Sequence, residues 1–290
     1  MPLGSADFKQ TDDTFLDGEA KRNPYRIRKT VLTIVLVFAA LQIFVVLWQY
    51  RQGRDYYREI QRTVIKQTVD GISHMAETGS READDADGTG YEDWAEDAET
   101  VPEEPEITVD FAALHKINPD IVAWIRFDDG RINYPVLQAE DNMTYLHTLP
   151  DGSRNPSGSI FADAGCPADF SGAVTILYGH NQRDGSMFGS LKQYRNKGFY
   201  EKHREFTMFL PDRTVSYRIC GWYVADPEDE IYQIGFSHDE VFQAYLQKLE
   251  QKREKDLPVT ISREDSIVVL STCASGGKRF VVFAKQKGEP

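Results

Sequence analysis

The sequence predicts a mainly β fold: eight short strands closing as a barrel or sandwich, with peripheral helices, carried on an N-terminal membrane-spanning helix. Eight runs rich in Val, Ile, Phe and Tyr fall within about 180 residues. Turn residues punctuate them at short intervals. Near the N-terminus, Val31–Trp48 is an 18-residue run with no charge and a single amide, Gln42. At about 1.5 Å of rise per residue such a run is just long enough to cross a bilayer as a helix.

Taken in order, residues 1–29 are expected to be a short cytoplasmic N-terminus and 30–50 an uncleaved signal-anchor, with Trp48 and Tyr50 as interfacial aromatics. The apolar run is long for a secretory h-region, and no small-x-small cleavage site follows it. Lys21, Arg22, Arg26, Arg28 and Lys29 closely precede the span and Arg51, Arg54, Arg58, Arg62 and Lys66 follow it, so charge alone does not orient it. A short polar N-terminus before a large C-terminal domain places that domain outside a single-pass cell membrane. The span itself, 31–48, would meet membrane lipid. Residues 51–76 read as a helical stalk, with Tyr57, Ile60, Val64 and Ile72 on one stripe.

Residues 77–107 are expected to be an acidic disordered linker. Glu77–Glu106 holds 13 acids against Arg81, so it carries −12 of the chain's net −13 and leaves the rest nearly neutral. The remainder shows no basic patch, which argues against a nucleic-acid partner.

The folded domain is expected over 108–287. Asp110 caps a short helix, FAALHKIN. Strands are read in DIVAWIRFD, INYPVLQ, GSIFAD, AVTILYGHN, EFTMFLPD, TVSYRICGWYVAD, SIVVLSTC and RFVVFAKQ. Two helical stretches interrupt them. One is Ser190–Lys202. The other is opened by a Ser237/Glu240 capping box and presents Val241, Phe242, Tyr245, Leu246 and Leu249 as an apolar face.

Three cysteines are too few for a disulfide scaffold and include no CxxC pair. Cys220 reads as a buried strand residue and Cys166 as a loop residue, with a disulfide between them left open. Cys273 differs. It ends an apolar run just after Ser271 and Thr272, and Ala274–Gly277 beside it is small and flexible. Lys278 and Arg279 then supply positive charge that favours a thiolate. Of six histidines, only His180 ends an apolar strand. A thiol, an imidazole and a guanidinium at strand ends are the parts of covalent acyl transfer. Arg279, or Lys278 if the register shifts by one, would steady the oxyanion; the planar guanidinium is the better fork. Asp184 and Ser186 read first as turn residues. Two candidate ligands, His180 and Cys273, are too few for zinc, so no metal is expected, and no cofactor either.

These residues resemble the sortases, membrane-anchored cysteine transpeptidases of Gram-positive bacteria, and class B in particular. LSTC at Leu270–Cys273 resembles the strand end of that family, with Arg279 following. The segments Tyr178–Tyr194 and Asn118–Leu146, and the helix before the cysteine strand, resemble class B in order. The likeness departs at Val269, where the family has threonine, and in a turn of only five residues between Cys273 and Arg279.

The resemblance implies a sortase β-barrel with Cys273 as nucleophile, His180 as general acid/base and Arg279 holding substrate and oxyanion. Ser271, Thr272 and Asn181 are expected to line the substrate groove. The implied reaction cleaves a C-terminal sorting signal of a secreted protein through a thioacyl intermediate and joins the product to a cell-wall amine, from a peptidoglycan precursor or cross-bridge. The alternatives are a pilin-polymerising sortase and a catalytically silent, membrane-tethered binding module.

Overall fold

The computed structural model describes residues 24–68, 106–254 and 257–288. The chain divides into two units, Met1–Leu47 and Trp48–Pro290. Helix α1, Pro24–Val64, begins in the first. There its apolar side chains, Leu36, Phe38 and Phe44 among them, are exposed, and the helix is long and apolar enough to cross a membrane.

The second unit is built on the eight expected strands. They are β3 (Ile121–Phe127), β4 (Asn133–Leu137), β5 (Ile160–Ala162), β6 (Val174–Tyr178), β7 (Glu205–Phe209), β8 (Thr214–Ala225), β9 (Ile267–Cys273) and β10 (Arg279–Gln286). They close into a barrel in the order β10-β8-β7-β3-β4-β5-β6-β9. The pairs β4–β5 and β6–β9 are parallel and the others antiparallel.

The unbroken apolar run of β9 follows from its being covered on both faces. Val268 and Leu270 point into the barrel with Leu177, Val282 and Ala284. Ile267 and Val269 point out and pack with Ile176, Val281 and Phe283 beneath helix α4, Asp239–Lys252. Burying one such side chain contributes about 1.5–3 kcal/mol.

Phe242, Tyr245, Leu246 and Leu249 form the buried face of α4, while Val241 stays exposed. The expected capping box does not form. The N-cap is His238, and no side chain bonds into the first turn. Ser237 lies one position too early; Asp239 and Glu240 complement the helix dipole instead. Ser190–Lys202 is a 3-10 turn over Gly189–Arg195 followed by α3, Phe199–Lys202. Gly198, at φ 80°, separates the two.

The stalk helix expected to run through residue 76 ends at Val64. The chain becomes extended in β1, Ile65–Thr68, and pairs antiparallel with β2, Glu106–Val109. The Val64 carbonyl accepts from the Asp110 amide, and the Asp110 carboxylate caps α2, Phe111–Ile117, through the Ala113 amide. Glu106 and Ile107, assigned by sequence to the acidic linker, belong to β2. The remainder of that linker, and Ile72 of the stalk stripe, lie outside the described residues. Ile60 and Val64 are buried with Leu114, Trp124, Leu137 and Phe161, and Tyr57 joins the cluster that fills the barrel.

Candidate active site

The parallel β6–β9 pair sets the site. Tyr178 is in register with Ser271, and the Gly179 amide donates to the Ser271 carbonyl at 3.1 Å. Two residues after Tyr178, beyond the end of β6, comes His180, and two after Ser271, at the end of β9, comes Cys273. Side chains alternate with period two, so Tyr178, Ser271 and Cys273 share the outer face of the barrel. On β10, Arg279 is in register with Cys273 and shares the outer face with Val281. The strand order β6-β9-β10 therefore puts position 273 between positions 180 and 279 along this end of the barrel. Gly179 is required here for space: a Cβ at that position would lie 2.7 Å from the Phe188 ring.

Cys273 is exposed, whereas Cys166 and Cys220 are buried, and all three thiols are free. Burial pushes the Cys220 thiol up to about 12 and also raises that of Cys166. Neither buried thiol is suited to nucleophilic work. The Arg279 Nη1 lies 3.4 Å from the carbonyls of Gly277 and Lys278. Among the described residues no carboxylate pairs with it. Lys278, the other candidate cation, is bound to Asp226 at 3.1 Å.

The His180 ring is half-buried, and its Nε2 lies 2.6 Å from the Leu146 carbonyl. A carbonyl only accepts, so Nε2 carries the proton and Nδ1 is left to exchange one. The His147 ring stacks on His180 at 5.4 Å between centroids. Burial holds the His180 pKa below its ordinary value; the Leu146 carbonyl opposes that shift and His147 adds to it. The Phe188 amide donates to the His180 carbonyl at 3.0 Å.

Asn181 is exposed, and its side-chain amide donates to the Cys273 carbonyl at 2.7 Å. A groove-lining role does not fit Thr272. It is 3% exposed, on the inward-facing alternation of β9, and its hydroxyl has no partner among the described residues. Ser271 is also buried, its Oγ 2.8 Å from the Tyr232 hydroxyl. Tyr232 was not legible as a site residue. It sits on a 3-10 turn, Glu230–Tyr232, and burial raises its pKa, opposed by the Ser271 hydrogen bond and by the nearby Arg279 charge. Asp184 is a turn residue, accepting from the Ser186 amide and hydroxyl. Among the described residues no three His, Cys, Asp or Glu side chains are grouped to hold a metal ion.

The closed eight-stranded barrel carries an exposed thiol at the end of β9, which runs parallel to β6, the strand that precedes His180. The sortase domain family model matches residues 125–287. That is more than half of the chain, which belongs to the sortase family. It is 35% identical over 182 residues to sortase B of Listeria monocytogenes, covering 62% of this chain and 73% of that protein. The crystal structure of Bacillus anthracis sortase B in complex with AAEK1 superposes with a TM-score of 0.66 at 29% identity, covering 84% of this chain and all of that one. A Staphylococcus aureus sortase B–substrate complex gives a TM-score of 0.59 at 33% identity over 62% of this chain and 85% of that one.

Proposed function

We propose that this protein is a class B sorting transpeptidase anchored by the apolar part of α1, with its barrel on the outer side of the membrane. It acts on secreted proteins that carry a C-terminal sorting signal. The observation that supports this reading is the register of three neighbouring strands: the exposed Cys273 pairs with Arg279, and Ser271 pairs with Tyr178, two residues before His180.

In the proposed reaction the Cys273 thiolate attacks a peptide carbonyl of the signal, and the oxyanion forms beside Arg279, whose planar fork suits it. The C–N bond breaks as the His180 imidazolium gives its Nδ1 proton to the leaving amine, leaving a thioester on Cys273. An entering amine, from peptidoglycan or its precursor, passes a proton to Nδ1 and attacks the thioester. The C–S bond breaks, and the thiolate is restored. Burial of His180 makes the imidazolium the minority form at neutral pH, so the acid step draws on a small population of the enzyme. Asn181 would hold the Cys273 backbone from the histidine side.

The full chain in detergent micelles, given quenched peptides that end in candidate sorting signals, tests the reading. Cleavage lost in Cys273→Ala, with the product converted to an amide when an amine is added, supports it. Cleavage that survives Cys273→Ala overturns it. An acceptor preference for a pilin lysine over cell-wall amines would move the assignment to a pilin polymerase, and absence of cleavage with every signal would leave a binding module.

A further inference from the structure

The ring and the backbone of His180 are each held by a stretch of chain outside β6. The first is 145–159. Its Leu146 carbonyl accepts a hydrogen bond from Nε2 and its His147 ring stacks on the imidazole. The second is the loop after His180, which folds back so that Phe188 bonds the His180 carbonyl and Asn181 bridges to Met187.

Both stretches are fastened to the same element, the part of α1 in the second unit. Tyr57 is 4% exposed, and its hydroxyl donates to the Gly158 carbonyl at 2.7 Å and lies 3.1 Å from Ser159 Oγ. Gly158 abuts the carbonyl that holds the imidazole: at φ +55° a Cβ there would lie 2.3 Å from Leu146 O. Asn155 links the same stretch twice, its side chain to the Gln49 carbonyl and its amide to the His147 carbonyl, each at 2.9 Å. Gly53 permits the close approach, since a Cβ on it would stand 2.9 Å from Ser157 Oγ. On the other side, Arg54 binds Asp184 at 2.9 Å. The Tyr57 ring meets Tyr134 edge-on, and the Tyr134 hydroxyl accepts from the Met187 amide.

We infer that the last turns of α1 position the catalytic imidazole, with Tyr57 and Arg54 as positioning residues that act through 145–159 and 181–188. This rests on the assignment of His180 as the acid–base group. The helix that follows the apolar segment is thereby part of the catalytic apparatus. Misplacement of a reacting group by about 1 Å can cost about a hundredfold in rate, so loosening either clamp falls mainly on turnover.

The test uses the full chain in detergent micelles and reads two quantities: kcat and KM for peptide cleavage, and the ring-nitrogen NMR signals of His180 in a Cys273→Ala background. Tyr57→Phe and Arg54→Met are expected to lower kcat by about fivefold to fiftyfold with KM within about twofold. They shift the His180 signals away from a single Nε2-protonated tautomer. Arg54→Lys, which keeps a cation for Asp184, restores most of the rate. Leu249→Ala, which loosens the packing beneath α4, lowers the melting temperature and leaves the ring signals in place. Wild-type kcat and unchanged ring signals in folded Tyr57→Phe and Arg54→Met overturn the inference, as do ring signals that move equally in Leu249→Ala. Cleavage retained in His180→Asn would instead overturn the acid–base assignment, and the ring signals still decide whether α1 positions the imidazole.

Discussion

Arg279 stands directly across the antiparallel β9–β10 ladder from Cys273, at the first residue of one strand and the last of the other. The five-residue turn between them holds Gly276 and Gly277, both at positive φ. The cation is thus fixed to the thiol by backbone pairing, and its side chain has no competing carboxylate among the described residues. Removing its charge and removing only its fork should therefore give different results. Arg279→Ala is expected to lower kcat/KM by about 10²–10³-fold, the range for loss of an oxyanion donor. Arg279→Lys is expected to recover only part of that, because an ammonium lacks the planar fork. Steady-state kinetics with one peptide checks both.

Thiol reactivity is expected to follow exposure. Only Cys273 is exposed, while burial raises the pKa values of the other two thiols. Brief treatment of the native chain with iodoacetamide should label Cys273 alone, and denaturation should release the other two. Early labelling of Cys220 would contradict its place beneath α4.

The pH dependence of stability has a definite sign. Burial lowers the His180 pKa from its ordinary 6.5, so the folded state keeps the ring neutral while the unfolded chain takes up a proton. The stabilisation from the neutral ring is complete above about pH 6.5. It is lost as pH falls from there through the lowered folded value. His203 is shifted in the same direction, so the contribution is read as a difference. Denaturant unfolding at about pH 7.5 and about pH 5.5 should show a smaller loss in His180→Asn than in wild type. An equal loss would mean that His180 is not held neutral by the fold.

Gly179→Ala tests the close packing behind the histidine. Its Cβ would meet the ring of Phe188, which is fully buried. Overpacking of this kind typically costs about 1–3 kcal/mol, and the displacement falls on the backbone that carries His180. A lower unfolding midpoint together with reduced activity is expected; an unchanged midpoint would show that Phe188 moves aside freely.

All eight barrel strands were legible because each is a short apolar run bounded by turn residues, and β9 with its LSTC end was the plainest. The pairing of β6 with β9 was not legible. Parallel neighbours need a long connection, and here that connection holds β7, β8 and α4. The β1–β2 pair escaped notice for a related reason: IKQT is polar, and its partner lies beyond the acidic segment. The thiol, imidazole and guanidinium stood out because each ends or begins an apolar run. Thr272 was misjudged because neighbouring residues on a strand face opposite ways. Tyr232 and Tyr57 carry no local sign of their place, since tertiary packing alone brings them to Ser271 and Gly158.

The most direct measurement of the central claim is the intact mass of the full chain during turnover of a sorting-signal peptide. A covalent adduct equal to the acyl fragment should build up on Cys273. It should disappear when a small amine is added, with the fragment recovered as the corresponding amide. Peptide cleavage with no adduct, or an adduct that persists in Cys273→Ala, would contradict acyl transfer through this thiol.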